Sequence, residues 1–178
     1  MIIALAGRRV DAVGAKVPRF PVGNVELVRT RLRAMLETQR AKALVCSAAC
    51  GADLIALAEA GAMGLRRRVV LPFDRRRFRE TSVIDRPGDW GPVYDQVLNE
   101  VESAGELRFL DKAPDKGVYL AANAAILDEA VSLAEQLRDS VGAVLVWDGQ
   151  SRGDHDSTKE FGAEARKRGI AILEVSTL

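Results

Sequence analysis

The chain has 178 residues, with 26 Lys+Arg against 25 Asp+Glu and one His, for a formal net charge of +1. At ~150 residues per domain this is one domain with a single core, and 48% hydrophobic with 29% charged residues excludes wholesale disorder. No apolar run approaches the ~20 residues of a membrane helix. The opening residues are too few for a secretory h-region, so a cytoplasmic protein with no membrane partner is expected. The near-neutral balance argues against a surface that grips nucleic acid as a whole.

Ile2 to Ala6 is apolar and β-prone and stops at Gly7, as a strand buried on both faces does. Residues 7–23 read as a connection. Residues 24–39 read as a helix, with Val25, Val28, Leu32, Met35 and Leu36 at helical spacing and Asn24 as its N-cap. Ala43 to Cys46 is a second strand and 52–63 a second helix, closed by Gly64. Val69 to Leu71 is a third strand, preceded by Arg66, Arg67 and Arg68 in a solvated turn. The charged stretch 74–90 is an ordered excursion or lid. Trp90 to Val101 is amphipathic, Glu106 to Leu110 is a fourth strand, and 117–138 is a long Ala-rich helix. Ala143 to Trp147, a short helix over 158–168 and Ile170 to Val175 complete the series. Buried strands alternating with helices predict a Rossmann-like three-layer αβα sandwich with a mostly parallel sheet, spanning 1–178 as one domain.

The cysteines are Cys46 and Cys50 alone. Two cannot staple a domain of this size, and their spacing is not that of a C-x-x-C redox pair. They read as free thiols. With His155 as the one histidine, the usual zinc ligand sets cannot be assembled, so neither a metal nor a resident cofactor is expected.

In open α/β sheets ligands bind outside the carboxyl ends of the strands. The loops there hold Gly7-Arg8-Arg9, Ser47 to Asp53, Pro72 to Arg77, and Asp148 to Lys159. Glycine, hydroxyls and arginine suit a phosphate-bearing ligand. Arg8 is the candidate phosphate clamp. Gly7, Ser47, Gly51, Asp53, Asp148, Gly149, Ser157 and Thr158 complete the candidate site. Asp53 reads either as a ribose contact or as an acid at a helix start. The arginines of 75–79 read as a solvated helix face or an anion-binding lid. Tyr119 and Asn123 share one face of the long helix, with Asp128 further along. The chain contains no P-loop, no G-x-G-x-x-G after the first strand and no G-x-S-x-G elbow.

Ala6-Gly7-Arg8-Arg9, the turn Cys46 to Asp53 ending in G-A-D, Arg68 to Phe73 ending in L-P-F, Val144 to Gly149 ending in W-D-G, and Ser157-Thr158-Lys159-Glu160 occur in that order. Together they resemble the superfamily that contains the Smf/DprA DNA-processing proteins and the LOG nucleotide phosphoribohydrolases. The resemblance implies binding of a nucleotide or nucleotide-derived small molecule, and a homodimer. It also implies two alternatives: a nucleoside-monophosphate phosphoribohydrolase with Glu160 as the catalytic acid, and single-stranded DNA binding. The chain departs from the hydrolases' P-G-G-x-G-T-x-x-E. Here the loop carries Asp154 and Asp156 in place of glycines, and Glu160 is one residue out of register. Glu160 also stands three residues after Ser157, the spacing of a capping box. Few aromatics are present for base stacking, so nucleic acid is not an expected partner.

Overall fold

The computed structural model describes residues 1–110, 117–153 and 156–178. Strand β1 (Ile2–Gly7) sends Ile3 and Leu5 into one apolar layer and Ile2 and Ala4 into the other. This is the pleat alternation of a strand covered on both faces. A long connection and a 3-10 turn (Val22–Asn24) lead to α1 (Val25–Thr38), which buries Val28, Leu32 and Leu36. Asn24 stands at the N-cap position, but its side chain does not cap the helix. Its amide donates instead to the Thr177 carbonyl at 2.9 Å, drawn away by the C-terminal residues.

After β2 (Ala43–Cys46) comes α2 (Ala52–Ala62), whose first six residues are all buried. A helix apolar around most of its circumference belongs inside its layer, and α2 packs against both α1 and α4 (Trp90–Ser103). Strand β3 runs from Arg66 to Leu71, so the three arginines lie in the strand and not in a solvated turn. They pair in register with Ala43, Leu44 and Val45 of β2. Their charge is met by acids from elsewhere. Arg68, 4% exposed, donates to Glu106 at 2.6 Å and Glu129 at 2.8 Å, Arg67 donates to Glu100 at 2.7 Å, and Arg66 pairs with Glu106.

The excursion that follows contains α3 (Arg75–Ser82), capped by Asp74, whose carboxylate accepts from the Arg77 N–H at 2.9 Å. Strand β4 (Leu107–Phe109) is shorter than expected. Helix α5 (Val118–Leu137), β5 (Val141–Trp147), α6 (Ser157–Lys167) and β6 (Ala171–Ser176) complete the chain.

The fold is Rossmann-like α/β. The strand order is β4-β3-β2-β1-β5-β6 and every neighbouring pair is parallel. Helices α1, α2 and α4 cover one face, with Phe78 of α3 in the same layer; α5 and α6 cover the other. The chain moves from β1 to β2 on one side, and reaches β1 again from β5 on the other. That reversal opens a crevice at the carboxyl end of β1, where ligands of such sheets bind. Among the described residues no helix is long and apolar enough to cross a membrane.

Candidate functional site

Strand β1 delivers Gly7, Arg8 and Arg9 to this crevice. A Cβ on Gly7 would lie 2.3 Å from the Ala52 Cβ and 2.8 Å from the Val146 Cβ, so only glycine lets α2 start this close to the sheet. Arg8 is 1% exposed and turned into the protein. Its guanidinium donates to Asp156 at 2.6 and 2.9 Å, to Asp148 at 3.1 Å and to the Gln150 carbonyl at 2.6 Å, and stands 5.7 Å from the centre of the Trp147 ring. Arg19 donates to the other Asp148 oxygen at 2.6 Å. Two guanidinium groups and two carboxylates thus close a neutral cluster that holds the β5–α6 loop.

Asp156 is the anchor of that loop. Its carboxylate accepts from the Thr158 and Lys159 N–H groups at 3.2 and 3.3 Å, capping α6, and from the Arg152 N–H at 2.7 Å. The cap is therefore Asp156 and not Ser157. The capping-box reading of Glu160 is corrected, because the neighbouring carboxylate already occupies the first N–H groups of the helix. Burial alone would raise the Asp156 carboxyl. The bonds from Arg8 and the backbone, with the charge of Arg8, outweigh it and hold the group at about 2.

Beside this cluster lies a cavity of about 360 Å³. Its floor is Leu5, Ala6 and Gly7 of β1. Ser47, Ala49 and Asp53 come from the turn after β2 and the first turn of α2. Phe78 and Ser82 come from α3, and Tyr119, Ala122, Asn123 and Ile126 from α5. Arg9, Arg152, Ser157 and Thr158 close it. Asn123 donates to the Ser157 carbonyl at 2.7 Å, which ties α5 to the start of α6. The apolar wall is fixed by Phe78, whose ring lies 5.9 Å from Phe73 and 6.3 Å from Tyr94.

The cavity's ionic groups differ in how they are satisfied. Arg9 is half-buried and paired with Asp85 at 2.8 Å, with a further bond to the Thr81 carbonyl. The Arg152 guanidinium has no acidic partner among the described residues. Arg152 is an exposed residue; partial desolvation of its guanidinium, then the charge of Arg8, hold it below the ordinary arginine value. Asp53 is 6% exposed. One carboxylate oxygen accepts from the Ala49 N–H at 3.2 Å, and the other, Oδ1, is a buried atom with no hydrogen-bond partner. Burial pushes its carboxyl up to about 7, against the opposing effects of the Ala49 N–H and Arg9.

Of the residues expected from sequence, Gly7, Ser47, Asp53, Ser157 and Thr158 line the cavity together with Tyr119 and Asn123. Arg8 and Asp148 stand behind it as the scaffold of the loop. Gly51 is also structural. Its φ is +91°, and a Cβ there would come within 2.8 Å of the Arg8 carbonyl and the Val10 nitrogen. Gly149 takes a positive φ in the turn after β5, outside the lining. Glu160 is half-buried and does not line the cavity, and Asp128 pairs with Arg168 at 2.6 Å. Asp154 and His155 lie outside the described residues.

Within α3, Arg75 pairs with Glu102, Arg76 with Glu80 and Arg79 with Asp95, so three of the four arginines are engaged with acids. Both thiols are buried, and burial pushes Cys46 well up and Cys50 to about 11, as suits inert free cysteines. Among the described residues no group of three or more His, Cys, Asp or Glu side chains is placed to hold a metal ion.

Sequence reasoning passed over Arg152, Phe78 and Ser82. Arg152 lies inside the candidate loop Asp148 to Lys159, but nothing local to it separates an arginine without an ion pair from a paired one. The chain matches no protein-family model and no curated protein.

Proposed function

We propose that this chain binds a nucleotide or nucleotide-derived small molecule in the cavity at the carboxyl end of β1. The observation that carries this reading is the presence, in one cavity at the switch point of the sheet, of the exposed Arg152 guanidinium and a buried Asp53 carboxylate oxygen, neither group having an ionic or hydrogen-bond partner among the described residues. A volume of about 360 Å³ falls at the lower end of the ~300–1,000 Å³ of small-molecule sites, a mononucleotide-sized space. The Ser47, Ser157 and Thr158 hydroxyls line it without a hydrogen bond to any described residue, leaving them for a ligand. The apolar face formed by Leu5, Phe78 and Ile126 suits a base ring. The ordered motifs shared with the Smf/DprA–LOG superfamily support the same class of ligand.

A thermal-shift screen against nucleoside monophosphates, cyclic nucleotides and ADP-ribose, with product analysis of every hit, tests this. A micromolar ligand at millimolar concentration stabilises by ~4 kcal/mol, or roughly 10 °C for a chain of this size. Intact ligand supports binding. Release of free base would move the reading to N-glycosidic hydrolysis, with the acid sought inside the cavity and not at Glu160. No shift across the panel overturns the proposal.

A further inference from the structure

The ligand's orientation can be read from the one buried side-chain polar atom that has no partner among the described residues. We propose that Asp53 is the specificity-determining residue of the cavity: its Oδ1 receives a neutral N–H or O–H donor of the ligand, while Arg152 receives the ligand's anionic group. This rests on the binding reading above and assigns the two ends of the ligand within it.

Three observations carry it. Asp53 already performs one structural task with Oδ2, which accepts from the Ala49 N–H at 3.2 Å and closes the turn between β2 and α2. That bond explains why an acceptor stands there, but an asparagine would serve it equally. It leaves Oδ1 buried and, among the described residues, unpaired, in a side chain that lines the cavity. Buried acceptors of folded proteins are paired with few exceptions, so an unpaired one in a cavity-lining side chain points to a donor on the ligand.

The surroundings then restrict what the donor is. Arg9 and Arg152 share the cavity with Asp53 and repel a cation or metal ion from it. The carboxylate itself repels a phosphate. A neutral donor is the chemistry that satisfies both constraints. Two parts of a nucleotide supply it, the ribose hydroxyls and an exocyclic amino group of the base.

The remaining charged and titratable groups around Asp53 give it no second partner. Cys46 of β2 is fully buried, Cys50 precedes α2, Asp85 is bound to Arg9, and Tyr119 comes from α5. Arg152 is the complementary end, an arginine with no acidic partner among the described residues, in the same cavity lining as Ser157 and Thr158. Anion recognition by guanidinium plus hydroxyls is the usual chemistry of phosphate sites.

Titration calorimetry with the whole chain tests the assignment. The probes are AMP, its 2′-deoxy and 3′-deoxy counterparts, IMP, which lacks the amino group, and adenosine, which lacks the phosphate. The wild type is expected to lose tenfold or more in affinity when the contacted donor is removed. A loss with a deoxy compound assigns Asp53 to the ribose; a loss with IMP assigns it to the base.

Asp53→Asn turns the acceptor into a donor, so it should bind AMP at least tenfold more weakly and lose that discrimination. It should still lose affinity when adenosine replaces AMP. Arg152→Gln should do the reverse, keeping the discrimination and losing the preference for AMP over adenosine. Wild-type-like discrimination in Asp53→Asn overturns the assignment while leaving nucleotide binding intact. Should Asp53→Asn fail to fold, the analogues on the wild type decide alone, and affinities equal within twofold overturn it. Failure of the wild type to bind any probe overturns this inference, and extended to the whole screening panel it overturns the binding reading as well.

Discussion

Asp156 and Asp53 are both buried carboxylates at the start of a helix on the same edge of the sheet, one at α6 and one at α2. Burial acts on both in the same direction, yet one carboxyl is held at about 2 and the other is pushed up to about 7. The difference is the Arg8 guanidinium together with the backbone N–H groups of Arg152, Thr158 and Lys159. Arg8 makes two bonds to Asp156, whereas Asp53 has a single backbone N–H and one oxygen with nothing. Burial of an acid therefore says little about its role until its partners are counted. The satisfied aspartate builds the loop, and the unsatisfied one faces the cavity.

The most disruptive way to break this contrast is to remove the cation. Arg8→Ala leaves Asp156 buried without its guanidinium partner and Asp148 with Arg19 alone, which destabilises by about 3–5 kcal/mol. For a chain of this size that is a fall in Tm of roughly 10 °C. Calorimetric unfolding of the variant checks it; a loss under about 1 kcal/mol would show that the cluster contributes little to holding the loop.

A second test sharpens the contrast through pH. The Asp53 carboxyl titrates at about 7 in the folded chain against an ordinary 3.8, so the folded state holds a proton that the unfolded state releases. Its contribution to stability is present at low pH and lost as pH rises toward 7, at about 1.4 kcal/mol per pH unit. Between pH 5 and 8 this amounts to roughly 3 kcal/mol. Asp53→Asn cannot titrate, so its stability relative to the wild type should rise over that interval. Paired denaturation curves at pH 5, 6, 7 and 8 measure the difference, and a constant gap would mean that Asp53 is ionised throughout.

The smallest expected effect concerns the arginine that was not built into the scaffold. Arg152→Gln removes no ion pair among the described residues, so stability should change by no more than about 0.5 kcal/mol. Its stabilisation by AMP should nevertheless fall to the level that adenosine gives. Arg8 and Arg152 are thus expected to separate: one change costs stability, the other costs binding.

The strands at the centre of the sheet were legible because they are apolar runs of strand length. Ile2 to Ala6, Ala43 to Cys46 and Ala143 to Trp147 could be placed from composition alone. The first half of β3 was not, because Arg66 to Arg68 look solvated until their acids arrive from 38 and 61 residues further on, Glu106 and Glu129 for Arg68. The site divides the same way. Its location follows from strand ends, and Ser47, Asp53, Ser157 and Thr158 were found by that rule. Which arginine is free depends on Asp156, 148 residues from Arg8, and no local pattern carries such a pairing. Asp156 and Ser157 are adjacent residues of equal capping aptitude, and only three-dimensional position separates them.

The pairing of β1 with β5 has a consequence in time. Ile2 to Gly7 are synthesised well before the strand that pairs along one of their edges, Val141–Trp147. A sheet whose centre closes last folds slowly, because the long intervening chain must be ordered before the pairing rewards it. Until then one edge of this apolar strand is open, and an incomplete chain presents a template on which other chains can add.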